Sequence, residues 1–208
     1  MITTILFDVD GTLIDTSNVM RKSLQEILKK EKQLEVSLED LQYILGIPGR
    51  QALENFTTNP QEIVALHEKW SKNVLNYLTE ITVFPGITEA VKALHNKGVK
   101  LGIVTSKTRA GIATEFDQFG LSAYFDCVIT ATDTTFHKPH PEPILKALDL
   151  LNSKSEQTLF VGDSPQDIAC AQAAGTKFAL AEWGTLNKKL SKEADFSLSS
   201  PAELLTIS

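Results

Sequence analysis

The chain has 208 residues, of which 42% are hydrophobic and 22% are charged, so it can bury a core and is too apolar to be disordered. No apolar run approaches the roughly 20 residues that a membrane helix needs, and no secretory signal precedes the first predicted strand, so we expect no membrane partner and a cytoplasmic location. The 20 basic and 26 acidic residues give a net charge of −6 without a basic cluster, which argues against a nucleic-acid partner.

The first predicted element is a strand over residues 4–8 that ends on charge. Residues 5–7 form an unbroken apolar run, which is typical of a strand covered on both faces of a parallel sheet. Residues two apart in an extended chain point to the same side. Asp8 and Asp10 are therefore expected to face a common point just beyond the strand, where Gly11 lets the backbone turn.

Two carboxylates this close repel each other, and each raises the pKa of the other unless a cation or a proton relieves the site. The pair of Asp8 and Asp10 therefore indicates a metal ion, with one carboxylate as a nucleophile and the other as a proton carrier. A plain turn at the strand end is the alternative, because Asp and Gly are common in turns. A calcium loop does not fit, since its sixth position is Leu13 instead of glycine and its twelfth is Val19 instead of glutamate.

The segment after this strand is predicted to be an all-helical insertion. One amphipathic helix starts near Thr16, a second starts at Ser37 and is broken at Gly46-Ile47-Pro48-Gly49, and a third starts at Asn59-Pro60. The predictions of these helices depend on the spacing of the following residues: Met20, Leu24, Ile27, Leu28, Leu41, Ile44, Leu45, Ile63, Val64, His67, Trp70, Val74 and Leu78. We predict a helical cap over residues 16–81, inserted into a core of residues 1–15 and 82–208.

From about residue 85 helices and strands alternate, which is the pattern of right-handed crossovers in a parallel sheet. Helices are predicted near residues 87–97, 109–118, 142–151 and 165–174. Strands are predicted over residues 100–104, 127–131, 158–161 and 178–180, with a short last strand over 196–198. Together with the first strand, they predict an α/β fold.

Polar residues follow four of the predicted strands, where open α/β sheets bind their ligands. They are Asp8 and Asp10 after the first strand, Thr105 and Ser106 after the second, Lys138 beyond the third and Asp163 after the fourth, with Asp167 four residues further on. Each has a local alternative, such as a helix cap for the hydroxyls or a solvated position for the lysine. Jointly they indicate a phosphate and metal site, because carboxylates bind hard cations while hydroxyls and an ammonium bind phosphate.

These residues resemble the haloacid dehalogenase superfamily, whose four motifs match in the right order. The matching segments are Asp8-Val9-Asp10-Gly11-Thr12, Thr105-Ser106, Lys138-Pro139 and Gly162-Asp163-Ser164-Pro165-Gln166-Asp167. The helical insertion resembles the small cap of the phosphoglycolate phosphatase-like branch. The resemblance implies a Rossmann-like core, a bound Mg²⁺ ion and hydrolysis through a phosphoaspartate on Asp8.

The resemblance also implies the role of each motif residue. Asp10 is the general acid and base, Mg²⁺ is held by Asp8, the main chain of Asp10 and Asp163, Asp167 supports the metal, and Thr105 and Lys138 bind phosphate. The second carboxylate favours phosphoryl transfer, since the dehalogenases of the superfamily lack it and a phosphatase needs a proton donor for its leaving alkoxide.

We therefore expect a phosphatase that hydrolyses a small phosphate ester, as a monomer or weak homodimer. Two alternatives stay open: a sugar-phosphate mutase similar to β-phosphoglucomutase, which shares all four motifs, and a non-catalytic regulatory protein that binds phosphate. In the cap, Arg50 is a candidate partner for a substrate carboxylate, and a solvated arginine at a helix start is the alternative.

Overall fold

A parallel sheet forms the centre of the core. The structure is a computed structural model that describes residues 1–45, 47–185 and 187–207. The strands are β1 (Thr4–Phe7), β2 (Ile14–Asp15), β3 (Thr82–Val83), β4 (Lys100–Val104), β5 (Cys127–Ile129), β6 (Thr158–Gly162), β7 (Lys177–Ala181) and β8 (Phe196–Leu198). Six of them pair in parallel in the order β5-β4-β1-β6-β7-β8, and β2 pairs with β3. The predicted α/β fold class and all the predicted strands are confirmed.

The helices pack on this sheet or make up the inserted segment. Their bounds are α1 (Ser17–Lys32), α2 (Gly49–Leu53), α3 (Pro60–Val74), α4 (Ile87–Asn96), α5 (Arg109–Gly111), α6 (Glu142–Leu151), α7 (Pro165–Ala174) and α8 (Leu204–Ile207). In the core α6 packs on β4 and β5, and α7 packs on β6 and β7. The predictions of α4, α6 and α7 are therefore confirmed.

The strand β1 lies in the middle of the sheet and is buried on both faces, as its unbroken apolar run predicts. Ile5, Leu6 and Phe7 have no exposed surface. Because successive side chains of a strand point to opposite faces, Leu6 joins the apolar cluster under α6 and α7, whereas Phe7 meets the ring of Phe125 edge-on at 6.0 Å between centroids. This burial holds the end of β1, and hence Asp8, rigidly in place.

The helix predicted over residues 109–118 is irregular in the structure, so that prediction is only partly right. Its first turn, α5, is α-helical, but Ile112–Phe116 is a π-helix and Asp117–Phe119 a 3-10 helix. The hydroxyl of Thr114 donates to the carbonyl of Ala110 at 3.0 Å, a contact that bends helices. The sequence predicted a helix in this segment but not its widened turn.

The chain divides into two compact units, residues 1–15 with 83–208 and residues 16–82. In the second, helical unit α1 packs on α3, and the indole N–H of Trp70 donates to the carbonyl of Met20 at 3.1 Å. Asn59 caps α3, as its place before a proline predicts.

The α-helix predicted to start at Ser37 is wrong. The hydroxyl of Ser37 donates to Asp40 at 2.6 Å and accepts the N–H of Asp40 at 3.1 Å, which closes a local turn. Only a short 3-10 helix, Gln42–Ile44, follows it. Leu41 and Ile44 are buried all the same, so their spacing reflects burial and not helical geometry. Of the predicted break at Gly46-Ile47-Pro48-Gly49, Gly46 lies outside the described residues, and the next helix, α2, begins at Gly49.

Candidate active site

The carboxyl ends of three adjacent strands meet at one edge of the sheet. Phe7 of β1 pairs with Ile103 of β4 on one side and with Val161 of β6 on the other, so the residues that follow these strands lie at one level. Those residues include Asp8, Thr105 and Asp163. Open α/β sheets bind their ligands at this kind of edge, where neighbouring strands on either side of a central strand continue in different directions.

Lys138 joins two buried carboxylates at this edge. Its ammonium lies 2.9 Å from Asp8 Oδ1 and 2.6 Å from Asp167 Oδ1, and its side chain is only 4% exposed. Burial raises the pKa of Asp8 to about 7, although Lys138 opposes the shift. Burial also disfavours the charge on Lys138, but Asp167 and Asp8 outweigh that effect and raise its pKa. Lys138 therefore stays cationic, and it lies next to Asp8, a carboxylate that is buried away from water.

Both oxygens of Asp167 are occupied by donors from the protein. Oδ1 accepts from Lys138, while Oδ2 accepts the hydroxyl of Ser164 at 2.6 Å and the N–H groups of Ser164 and Asp163 at 3.1 and 3.3 Å. Ser164 in turn accepts the N–H of Asp167, so the pair forms a capping box at the start of α7. Ser164 is therefore the cap of α7, and both oxygens of Asp167 already accept hydrogen bonds from the protein.

Asp163 differs from Asp167 because no lysine or arginine within the described residues forms an ion pair with it. Its carboxylate receives one long hydrogen bond, from the hydroxyl of Thr12 at 3.4 Å. Burial raises the pKa of Asp163 well above its usual value, and the charges of Asp167 and Asp8 raise it further. A buried carboxylate in this state needs either a proton or a cation.

The donor set at this edge fits a hard divalent cation. Asp8, Asp163 and Asp167 each offer an oxygen, and these oxygens lie within 4.8 Å of one another. Among the described residues no lysine or arginine forms an ion pair with Asp163, and the donors are all carboxylate oxygens, which Mg²⁺ prefers. Because Asp167 is already engaged, Asp8 and Asp163 are the side chains best suited to hold such an ion.

A tight loop after β1 carries the second carboxylate of the first motif. The N–H groups of Leu13 and Ile14 donate to the carbonyl of Val9 at 2.9 and 3.0 Å, and Gly11 adopts a φ of +74° that favours glycine. A Cβ on Gly11 would lie 2.3 Å from Asp163 Oδ2, so the loop and Asp163 are in close contact. The turn interpretation of this motif is therefore right, and the role of Asp8 and Asp10 in a metal and phosphate site stays a prediction.

Lys107 is a second buried cation at this edge, and the sequence did not identify it. Its ammonium lies 3.0 Å from Asp10 Oδ1 and 2.5 Å from Glu115 Oε2, and its side chain is 7% exposed. Burial disfavours this charge, but Asp10 and Glu115 outweigh the effect and raise the pKa of Lys107. Its position directly after Thr105-Ser106 was the available signal, since it lies at the same strand end as the predicted hydroxyls.

The remaining predicted residues lie in two places. Thr105 is buried after β4, and its hydroxyl oxygen accepts the N–H of Lys107 at 3.1 Å. Ser106 follows it and is half-buried. Arg50 lies in the helical unit, where it is exposed on the short helix α2. The structure thus brings Asp8, Asp10, Asp163, Asp167 and Lys138 together in the core, while Arg50 belongs to the other unit.

A loop after β7 supports the loop that carries Asp10. Nothing in the sequence indicated this contact. The indole N–H of Trp183 donates to the carbonyl of Thr12 at 2.9 Å. Gly184 packs so closely that an added Cβ would lie 1.6 Å from the carbonyl oxygen of Gly11. Only glycine fits there, so residues 183–184 fix the shape of the loop that carries Asp10.

Within the described residues no helix is long and apolar enough to cross a membrane.

The family profile of the haloacid dehalogenase-like hydrolases matches residues 5–181 of the chain, a span that includes the whole candidate site. Pyrophosphatase PpaX from Anoxybacillus flavithermus is 36% identical over 209 aligned positions, which cover 99% of this chain and 96% of that protein.

Two solved structures show the same fold. A candidate phosphoglycolate phosphatase from Lactobacillus plantarum superposes with a TM-score of 0.93 at 26% identity, over 100% of both chains. CbbY from Rhodobacter sphaeroides, crystallised in complex with phosphate, superposes with a TM-score of 0.84 at 24% identity over 98% of this chain and 96% of that one. At this identity the second likeness concerns the fold alone.

Proposed function

The chain belongs to the haloacid dehalogenase-like hydrolases, and on that premise we propose that it is a magnesium-dependent phosphatase that forms an aspartyl phosphate on Asp8. The family and its phosphatase relatives make it a hydrolase that acts on phosphate esters. The observation that carries the finer proposal is the buried contact of Asp8 with Lys138, beside an Asp163 that forms no ion pair with a lysine or arginine of the described residues.

Asp8 is the proposed nucleophile. One of its carboxylate oxygens forms a bond to phosphorus while the bond from phosphorus to the leaving oxygen breaks. Lys138, which lies 2.9 Å from Asp8, offsets the negative charge that the two anions bring together. The hydroxyls of Thr105 and Ser106, at the end of the adjacent strand, are the proposed donors to the phosphate oxygens.

Asp10 is the proposed general acid and base. As an acid it gives its proton to the leaving oxygen in the first step, and it is then a carboxylate. In the second step that carboxylate takes a proton from water, whose oxygen attacks phosphorus, and the bond between phosphorus and Asp8 breaks. Phosphate leaves, and both aspartates return to their starting states.

We further propose that Asp8, Asp163 and the main chain of Asp10 hold Mg²⁺, with Asp167 fixing this arrangement from behind. Asp167 suits that supporting role, because its oxygens already bind Lys138 and the start of α7. Bound there, Mg²⁺ supplies positive charge that counters the phosphate and the surrounding carboxylates.

For the substrate, we propose a small phosphorylated compound with a second anionic group. The names of the relatives suggest inorganic pyrophosphate and phosphoglycolate, and both have that property. The helical unit, residues 16–82, is the proposed cap that selects the substrate, with Arg50 as the candidate group for the second anion. A sugar-phosphate mutase is the second candidate, because it would use the same core residues.

The decisive experiment compares the purified protein with Asp8→Asn on pyrophosphate, phosphoglycolate and para-nitrophenyl phosphate, with and without Mg²⁺. We expect Mg²⁺-dependent phosphate release that Asp8→Asn lowers by about 10³-fold or more. Asp149→Asn is the matched control, because Asp149 is exposed on α6, and it should behave like the parent protein. Release of no phosphate from any of the three compounds would contradict the proposal, and interconversion of glucose 1-phosphate and glucose 6-phosphate would favour the mutase.

A further inference from the structure

The ion pair of Lys107 with Glu115 has no role in the chemistry proposed so far. Two of the three donors of the Lys107 ammonium face carboxylates, Asp10 at 3.0 Å and Glu115 at 2.5 Å. Asp10 is the most exposed of the three side chains, at 34%, against 7% for Lys107 and 12% for Glu115. The buried pair of Lys107 and Glu115 therefore contacts the partly exposed carboxylate of Asp10 from the interior of the protein.

The backbone of Lys107 is anchored on both sides. Its N–H donates to the hydroxyl of Thr105 at 3.1 Å, and its carbonyl accepts the N–H of Ala131 at 2.8 Å. These bonds tie the residue to the loops that follow β4 and β5. The position from which the lysine side chain extends is therefore as fixed as the strand ends themselves.

Glu115 comes from the π-helical turn Ile112–Phe116. That turn keeps Ile112 and Phe116 buried and leaves Glu115 with a nearly buried carboxylate, whose pKa burial raises against the opposing charge of Lys107. A buried carboxylate at this position would cost free energy without Lys107 as its partner. Interruptions of this kind are frequent at functional sites, because they change the direction in which a side chain points.

We propose that Lys107, held in place by Glu115, is a positioning residue that fixes the carboxylate of Asp10 for proton transfer to the leaving oxygen. The proposal rests on the proposed function, in which Asp10 is the general acid. An alternative role, direct binding of a substrate anion, fits less well because the ammonium is 7% exposed and already meets two carboxylates. Such a contact holds the carboxyl group of Asp10 in one position. This matters for the rate, because a displacement of a catalytic group by about 1 Å can lower the rate by about 10²-fold.

The test separates substrates by how much they need an acid. We compare kcat/KM of the full-length Mg²⁺-loaded protein for 2,4-dinitrophenyl phosphate, whose leaving group needs no proton, with that for an alkyl phosphate, whose leaving group does. Lys107→Met should lower kcat/KM for the alkyl ester by about 10- to 100-fold and change it less than about 3-fold for the dinitrophenyl ester. Glu115→Gln should show the same selectivity to a smaller extent, and Lys107→Arg should restore part of the loss.

Two further measurements separate positioning from other roles. In an Asp10→Asn background, Lys107→Met should have no additional effect on the first-turnover cleavage of the alkyl phosphate, because the lysine acts through Asp10. The Mg²⁺ concentration that gives half of the thermal stabilisation should stay unchanged in Lys107→Met, which reports on the metal site without any turnover. Lys92→Met, at an exposed position on α4, is the matched control for loss of a lysine.

Equal losses on both esters, or an undiminished effect of Lys107→Met in the Asp10→Asn background, would overturn the inference and assign Lys107 to substrate binding. That result leaves the proposed function intact, provided that Asp8→Asn abolishes turnover. If the parent protein cleaves neither ester, the proposed function fails, and the inference falls with its premise. Should Lys107→Met fail to fold, Glu115→Gln and Lys107→Arg decide by the same comparison of esters.

Discussion

Asp163 and Asp167 lie four residues apart, yet we expect their replacement by asparagine to have opposite effects on the stability of the metal-free protein. Asp167 is fully buried and accepts from Lys138, from the hydroxyl and N–H of Ser164 and from the N–H of Asp163. An asparagine amide has only one acceptor oxygen, so its NH₂ group must face either the ammonium or the Ser164 donors.

The size of the Asp167→Asn effect follows from these contacts. Removing one partner of a buried ion pair costs about 3–5 kcal/mol. The lower value applies here, because Lys138 keeps its contact with Asp8 at 2.9 Å and because repulsion between Asp167 and the other carboxylates is relieved. A loss of about 3 kcal/mol corresponds to a fall in Tm of about 6–12 °C for a chain of this length.

Asp163→Asn should instead raise the free energy of unfolding of the metal-free protein at pH 8. The folded state raises the pKa of Asp163 above its usual value of 3.8, chiefly through burial. A group with a raised pKa contributes its stability in full below the unfolded pKa and loses it as the pH rises through the folded pKa. The neutral asparagine avoids that loss, so the gain should be larger at pH 8 than at pH 5.

Urea unfolding at pH 5 and pH 8, with EDTA or with Mg²⁺, measures these effects. Mg²⁺ at 100 times its Kd should stabilise the parent protein by about 2.7 kcal/mol, and Asp163→Asn should lose most of that gain. In Asp167→Asn the metal response should be weakened less, as expected of a supporting group. If Asp163→Asn destabilises the metal-free protein at pH 8 as much as Asp167→Asn does, the electrostatic reasoning about the site is wrong.

Three other expectations follow from the same contacts. Gly11→Ala should weaken Mg²⁺ binding in a titration, because its Cβ would lie 2.3 Å from Asp163 Oδ2, whereas Gly98→Ala, at a similar φ of +78° with nothing within 4 Å, should cost only the roughly 1–2 kcal/mol of an unfavourable backbone. The rise in Tm with Mg²⁺ should grow from pH 5 to pH 8, since burial raises the pKa of Asp8 to about 7 and protons compete with the metal below it; an equal rise at both values would count against this site. Arg50→Ala should raise KM for pyrophosphate more than for para-nitrophenyl phosphate, and equal changes would remove Arg50 from the specificity site.

Several residues of the predicted site were accessible from the sequence because Asp8, Thr105 and Asp163 directly follow buried strands. An unbroken apolar run such as residues 5–7 identifies a strand of a parallel sheet, and parallel strands end at one edge. The polar residues at these strand ends were therefore expected to form one site, and the structure places Asp8 and Lys138 2.9 Å apart. The roles of these residues stay predictions until they are tested.

The tertiary structure alone decided which charge lies beside which. Nothing local indicates that Asp167 accepts from Lys138 while Asp163, four residues earlier, has no such partner among the described residues. Likewise, Lys107 meets Asp10 only because β4 lies beside β1, and Glu115 reaches the lysine only through a π-helical turn that apolar spacing cannot distinguish from an α-helix. Periodicity reports burial along one segment, whereas ion pairs depend on distances between segments that the packing of the whole core sets.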